Sequence, residues 1–153
     1  MKHFICAILA VVSMTSSLFA LDSSDQDAIH QIIDHFTHVW NNQDGHGSAD
    51  NYATDAEFVN IFGMAFSGKE EIEVRHIQIH ETFLKSTFFE VTKVRLREAS
   101  SEVVVAHVDW QLRKTETDAV PMMNGVFMHV FLKTDSKWEI IATQNTLAKS
   151  PGH

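Results

Sequence analysis

Four apolar segments of similar length fill the second half of the chain, with only short polar breaks between them. They are Phe88 to Arg97, Glu102 to Lys114, Met122 to Lys133 and Lys137 to Leu147. Each is rich in Val, Phe, Thr and Ile, side chains that suit a pleated, half-buried surface. Consecutive strands joined by short loops pair antiparallel. Thr134-Asp135-Ser136 forms a tight turn, and Thr115 to Val120 a longer one. This half is therefore a meander, and whatever precedes it must pack against it.

What precedes it is mostly helical. Ser23 or Ser24 begins a helix with Gln26 or Asp27 three residues on, the spacing of a capping box. Ala28, Ile29, Ile32, Ile33, Phe36, Val39 and Trp40 then recur at helical period until Asn41-Asn42. Asp44 to Ala53 reads as a short, poorly formed helix with loops. Glu57 to Phe62 is a strand broken at Gly63, and Met64 to Phe66 returns as a short strand. Ser67-Gly68-Lys69-Glu70 has capping-box spacing and opens a helix to about Lys85. Helices first and a meander after give an α+β domain, with helices on one side of a curved sheet. A chain of 153 residues suits one such domain and can bury a core without a staple.

The first twenty residues have a separate task. Lys2 and His3 precede the apolar run Phe4 to Val12, and Ser13 to Ser17 leads into Leu18-Phe19-Ala20. This order describes a secretory signal peptide cut after Ala20, leaving a single domain over residues 21–153. An uncleaved anchor is the alternative, but the run is short for a bilayer span. The expected location is periplasmic or secreted. Cleavage would remove Cys6, the only cysteine, and with it any thiol nucleophile, thiolate metal site or disulfide. The net charge of −8 gives no support for a nucleic-acid partner, or for a membrane surface once the leader is removed.

Strand alternation sorts the sheet residues into two faces. A loop centred near Asp118 sets His107 opposite His129 and Asp109 opposite Phe127. The tight turn sets His129 near Ala142 and Phe127 near Gln144. One face then gathers Val105, His107, Asp109, Phe127, His129, Phe131, Trp138, Ile140 and Gln144, an apolar surface with a few polar groups, as in a small-molecule pocket. The other carries Val104, Ala106, Val108, Trp110, Val126, Met128, Val130 and Ile141. That face is too apolar for water, so a homodimer is expected. A slip of one residue would exchange the faces.

On the helix after Gly68, His76 falls about 40° and His80 about 80° from Ile72, at ~100° per residue. Both lie in the stripe that packs on the sheet, with Glu73 at its edge. Three chemistries compete there. His at i and i+4 could grip a metal, with a carboxylate or sheet His completing the set, although the Glu between the two His of a zincin helix is missing. A pocket His could act as general acid or base. A buried His could also be structural, its ring nitrogens bonded by neighbours. Asp109 beside His107 or His129 has the makings of an orienting pair. Against that, Asp109 could face solvent and His129 sit at a rim. Asn60, between Phe58 and Phe62, is a pocket donor or a strand-end cap. His30, His35, His38 and His46 read as surface or loop residues. No serine-hydrolase elbow, P-loop or dinucleotide-binding glycine motif is present.

Trp40-Asn41, Asp44, Tyr52 and Asp55, then Phe58-Val59-Asn60-Ile61-Phe62-Gly63, Gly68-Lys69-Glu70-Glu71-Ile72, His76, Val105-Ala106-His107 and Trp138-Glu139-Ile140 follow one another in a familiar order. This resembles the SnoaL-like, ketosteroid-isomerase-like superfamily, also called nuclear transport factor 2-like, and is most similar to its SgcJ/EcaC-type family. The resemblance spans about residues 25–147. It implies a cone-shaped α+β barrel, usually dimeric, with about three N-terminal helices on the concave face of a curved antiparallel sheet. Asn60, His76 and His107 match positions of that pattern without a role attached. The acid–base residues of ketosteroid isomerases are not recognisable, and no flavin or nicotinamide motif appears.

The reading that follows is an exported binder or cofactor-free enzyme for a small apolar or aromatic molecule. Its chemistry would be proton transfer of the isomerase, dehydratase or cyclase type. His76, His129 and Asp109 are the candidate catalytic residues. Asn60, His80, His107, Phe58, Phe127 and Gln144 are the candidate ligand contacts. No metal or other cofactor is expected. The alternatives are a dimerisation or interaction module whose pocket is filled by Phe58, Phe62, Phe83, Phe127 and Phe131, and a metal enzyme using Glu73, His76 and His80.

Overall fold

A computed structural model describes residues 21–43, 45–82 and 84–148. The expected leader (residues 1–20), Asp44 and Phe83 lie outside the described residues. Helix α1 runs Ser23–Asn41. Its cap is Asp22, one residue before the expected serines: the carboxylate accepts from the Ser24 N–H at 3.2 Å. A carboxylate also suits the positive end of the helix. Ile29, Ile32, Ile33, Val39 and Trp40 are buried, so the helical stripe read from sequence is the packed one.

Strand β1 (Tyr52–Val59) follows a string of turns at 46–51, where a weak helix was expected. Gly45 explains why the chain turns there. It has φ +74°, and a Cβ on it would lie 2.8 Å from the Ile77 backbone, so the loop presses directly on the next helix. Strand β2 (Ala65–Ser67) folds back on β1, and α2 spans Lys69–Ile79. The expected capping box is displaced. Gly68 is the N-cap, without a side-chain bond, and the Glu71 carboxylate accepts from the Ser67 N–H at 2.8 Å. Helix α2 stops six residues short of Lys85. The Thr82 hydroxyl donates to the Ile79 carbonyl and accepts from the Leu84 N–H, so a side chain takes over bonds the helix would need.

The meander is β3 (Phe88–Ser100), β4 (Val103–Arg113), β5 (Met123–Thr134) and β6 (Lys137–Leu147). Spatial order is β2-β1-β6-β5-β4-β3 in one curved sheet. The class is α+β as expected, with two differences among the described residues. Two helices take the place of about three. The sheet is also not wholly antiparallel: β6 returns to lie parallel to β1, pairing Phe58 with Thr143 and Val59 with Gln144. Local sequence cannot announce a pairing between segments so far apart.

The registers also differ from expectation, and this decides the faces. Ala106 pairs with His129, His107 with Met128, Val108 with Phe127 and Asp109 with Val126. The long loop thus shifts the β4–β5 register by one residue. Near the tight turn, β5 and β6 pair as expected, with Thr134 opposite Lys137. A bulge then intervenes, so His129 faces Thr143 and Phe127 faces Asn145. Residues directly opposite one another share a face. Val104, Ala106, Val108, Trp110 and Leu112 therefore join Phe127, His129, Phe131 and Thr143 beneath the helices. His107, Asp109, Met128 and Gln144 lie on the outer face.

Ile29, Ile72, Val104, Val108 and Phe131 are fully enclosed; burying a side chain of this kind stabilises by ~1.5–3 kcal/mol. Asp25 ties the start of α1 to the β5–β6 hairpin. It accepts from Lys133 Nζ at 2.7 Å and Trp138 Nε1 at 2.9 Å, bonds that hold its carboxyl below the usual range. Among the described residues, no helix is long and apolar enough to cross a membrane.

Candidate functional site

Between α1, α2 and the inner face of the sheet lies a cavity of about 80 Å³. It has room for a few waters or a single small ring and is smaller than most ligand pockets. Its walls are mainly aromatic: Phe36 and Trp40 from α1, Phe58 from β1, Phe89 and Trp110 from β3 and β4, and Phe127 from β5. Four polar residues interrupt them: Asn60, Arg75, His76 and Asn145.

His76 is 2% exposed. Its Nδ1 lies 2.8 Å from the Ile72 carbonyl oxygen one turn back. A carbonyl only accepts, so Nδ1 carries the proton and Nε2 of the neutral ring is an acceptor. The ring is clasped edge-on by Phe36 at 5.5 Å and Phe58 at 5.1 Å. Burial pushes its pKa down to about 4, against the raising effect of the Ile72 bond, so the imidazole is neutral at pH 7.

Asn60 follows β1, and its carbonyl is used up locally. Oδ1 accepts from the Phe62 and Met64 N–H groups at 2.9 and 3.0 Å and closes the turn into β2. This fixes which end of the amide is which, and the buried Nδ2 has no partner among the described residues. Asn60 therefore caps the strand end while it lines the cavity. Trp110 Nε1 donates to Asn145 Oδ1 at 3.1 Å. Gly125 makes room for that indole, because a Cβ there would lie 2.4 Å from the ring.

A smaller cavity of about 20 Å³ lies further along the inner face, lined by Ser48, Tyr52 and His129 among others. It has space for about one water. The Thr143 hydroxyl links the two sides: Tyr52 OH is 3.0 Å away and His129 Nδ1 is 2.8 Å away. A hydroxyl has one proton, so the chain Tyr52–Thr143–His129 runs in one direction or the other. Burial pushes His129 down to about 3 and raises the Tyr52 phenol, so both are neutral. Phe36, Phe89 and Phe127 border both cavities and separate them.

The candidates from sequence therefore divide. His76, Asn60, Phe58 and Phe127 meet at the larger cavity, and His129 lines the smaller. His80 is the C-cap of α2 and sets its ring 4.8 Å from Trp40. Asp109, His107 and Gln144 do not reach the site. The β4–β5 slip puts His107 and Asp109 on the outer face and the β6 bulge does the same to Gln144; there Asp109 forms a two-pronged pair with Arg95 at 2.5 and 2.9 Å. That guanidinium holds the Asp109 carboxyl below its usual range. The proposed Asp109–His129 pair is thus replaced by Thr143–His129. Phe62 borders the larger cavity but is 70% exposed, so it does not fill it. Glu73 turns from His76 to accept from the Gly47 N–H at 3.3 Å, with His46 Nδ1 at 3.6 Å. Among the described residues, no group of three His, Cys, Asp or Glu is gathered to hold a metal. Arg75 and Asn145 were not singled out from sequence. Arg75 was legible in principle, as the cation beside His76 on the same helix.

No family model matches this sequence, and no curated protein does. Solved structures do resemble it. A domain of unknown function with a cystatin-like fold from Nostoc punctiforme superposes with TM-score 0.78 at 24% identity, over 85% of this chain and 81% of that one. An NTF2-like protein of unknown function from Pseudomonas putida gives TM-score 0.72 at 14% identity, over 86% and 92%. The chain has the NTF2-like fold. A Novosphingobium aromaticivorans protein proposed to be a scytalone dehydratase gives TM-score 0.69 at 13% identity, over 85% and 89%. These likenesses bear out the superfamily resemblance in fold; at such identities they carry no activity across.

Proposed function

We propose that this NTF2-like protein is an exported binder, or cofactor-free enzyme, for a small apolar or aromatic molecule, with His76 handling a proton. The observation that carries the reading is the neutral His76 ring. It borders an aromatic-walled cavity, and its Nδ1–H is held by the Ile72 carbonyl. A fixed tautomer gives Nε2 a defined role as acceptor for a ligand proton. Because burial keeps this imidazole a weak base, it can accept a proton only if the pocket also stabilises the charge left behind. The unpartnered Asn60 amide is a suitable donor for an oxygen on which that charge develops. Isomerisation and dehydration next to a carbonyl or hydroxyl both fit. A scytalone dehydratase-like protein among the structural relatives supports that class. The narrower SgcJ/EcaC-type placement belongs to this proposal, as does the leader peptide.

Homodimerisation belongs to it too. Val126, Met128, Val130 and Leu132 lie on or beside the outer face, and Met128 is 41% exposed, a surface suited to a second copy. Light scattering on the purified protein checks this, and a monomer at micromolar concentration would refute it.

The test of the site is His76→Gln. Gln preserves bulk and polarity but cannot take up a proton. The variant is expected to fold, to keep ligand binding within a few fold and to lose turnover or ligand proton exchange. Unchanged proton exchange would remove His76 from the chemistry.

A further inference from the structure

Two side chains that line the larger cavity each carry a buried N–H donor with no partner among the described residues. One is Asn60 Nδ2, on a side chain only 5% exposed, whose other end is locked by two backbone N–H groups. The other is Arg75 Nε, buried and without a partner, on a guanidinium set 5.7 Å above the Phe66 ring. A buried donor left unpaired is costly, and two of them on one cavity call for an acceptor that arrives with the ligand. Arginine is always charged, yet among the described residues no Asp or Glu lines the cavity. The nearby acids of α2 are engaged elsewhere: Glu71 with the Ser67 N–H and Glu73 with the Gly47 N–H. In a chain of net charge −8, this cavity is locally cationic, with aromatic walls.

We propose that the ligand is a small aromatic or alicyclic carboxylate, its oxygens accepting from Asn60 Nδ2 and Arg75 Nε and its ring packed on Phe58, Trp110 and Phe127. The claim rests on the cavity being a small-molecule site and narrows the class of molecule. The cavity volume of about 80 Å³ limits the ligand to a single ring bearing one carboxylate. The guanidinium recognises a carboxylate by charge-assisted bonds, roughly twice as strong as neutral ones.

Trp40 and Trp110 border the cavity, so intrinsic fluorescence reports occupancy. The purified protein is titrated with benzoate, phenylacetate and cyclohexanecarboxylate, each against its neutral primary amide. The expected result is saturable binding of at least one carboxylate, at least tenfold tighter than its amide. Arg75→Gln is expected to weaken the carboxylate at least tenfold and leave the amide almost unchanged. Asn60→Asp keeps the oxygen that closes the Phe62–Met64 turn but turns a donor into an anion, and is expected to abolish the preference. An amide that binds as well as its acid, or an acid indifferent to Arg75→Gln, overturns the carboxylate proposal and leaves the small-molecule reading standing. No saturable binding by either series overturns both.

Discussion

Mild acid should destabilise this protein well above the range where carboxylates titrate. The cause is two neutral histidines in the core. Burial depresses His76 to about 4 and His129 to about 3. In the unfolded chain both return to about 6.5. Between these values the unfolded state binds more protons than the native state, so stability is lost as pH falls through 6.5. At pH 5.5 each unfolded histidine is about 90% protonated while the native ring is not. The loss is then RT ln(1 + 10), about 1.4 kcal/mol per histidine and about 3 kcal/mol for the pair. This magnitude hardly depends on how far below 4.5 the native values lie, since it is set by the unfolded side. Asp25 and Asp109 have lowered values, so their contribution is lost only at lower pH. The assay is urea unfolding followed by tryptophan fluorescence at pH 8 and pH 5.5, for wild type and for His76→Gln with His129→Gln. Wild type should lose about 3 kcal/mol across that interval beyond whatever the double variant loses. Equal losses in the two proteins would show that His76 and His129 are not held neutral by burial.

Other predictions follow from single contacts. Gly125→Ala drives a methyl into the Trp110 indole, so it should cost ~1–3 kcal/mol and alter near-UV circular dichroism. Thr143→Val breaks the Tyr52–Thr143–His129 chain and strands a buried phenol and imidazole. It should cost ~2–4 kcal/mol in chemical denaturation. Asp109→Asn removes only an outer-face pair with Arg95, so the carboxylate Kd measured by fluorescence should stay where it is.

The elements were legible because their signals are local. The α1 stripe, the Asp135-Ser136 turn and the long apolar strands each follow from spacing within a dozen residues. Both residues of that turn have positive φ, the conformation a tight hairpin needs. His76 was legible as a buried residue because helical period puts it near Ile72. The β4–β5 register was not, because six loop residues with no turn signature permit more than one centre. A shift of one residue moved His107 and Asp109 to the outer face and brought Ala106 and Val108 inward. The β6 bulge had the same effect, replacing Gln144 with Thr143 and Asn145. Neither bulge nor loop centre leaves a mark in composition, since both faces are apolar and alternation alone cannot choose between them. The parallel β1–β6 pairing and the unpartnered Arg75 Nε are tertiary facts, set by which segments meet.

His76 lines the cavity with its proton on Nδ1, and ¹⁵N NMR of the imidazole reads that tautomer directly. At pH 7 a protonated Nδ1 and an unprotonated, acceptor-type Nε2 are expected, with the Nε2 resonance moving when a cavity ligand such as benzoate is added. A proton on Nε2, a charged ring, or a resonance indifferent to every bound ligand would contradict this assignment.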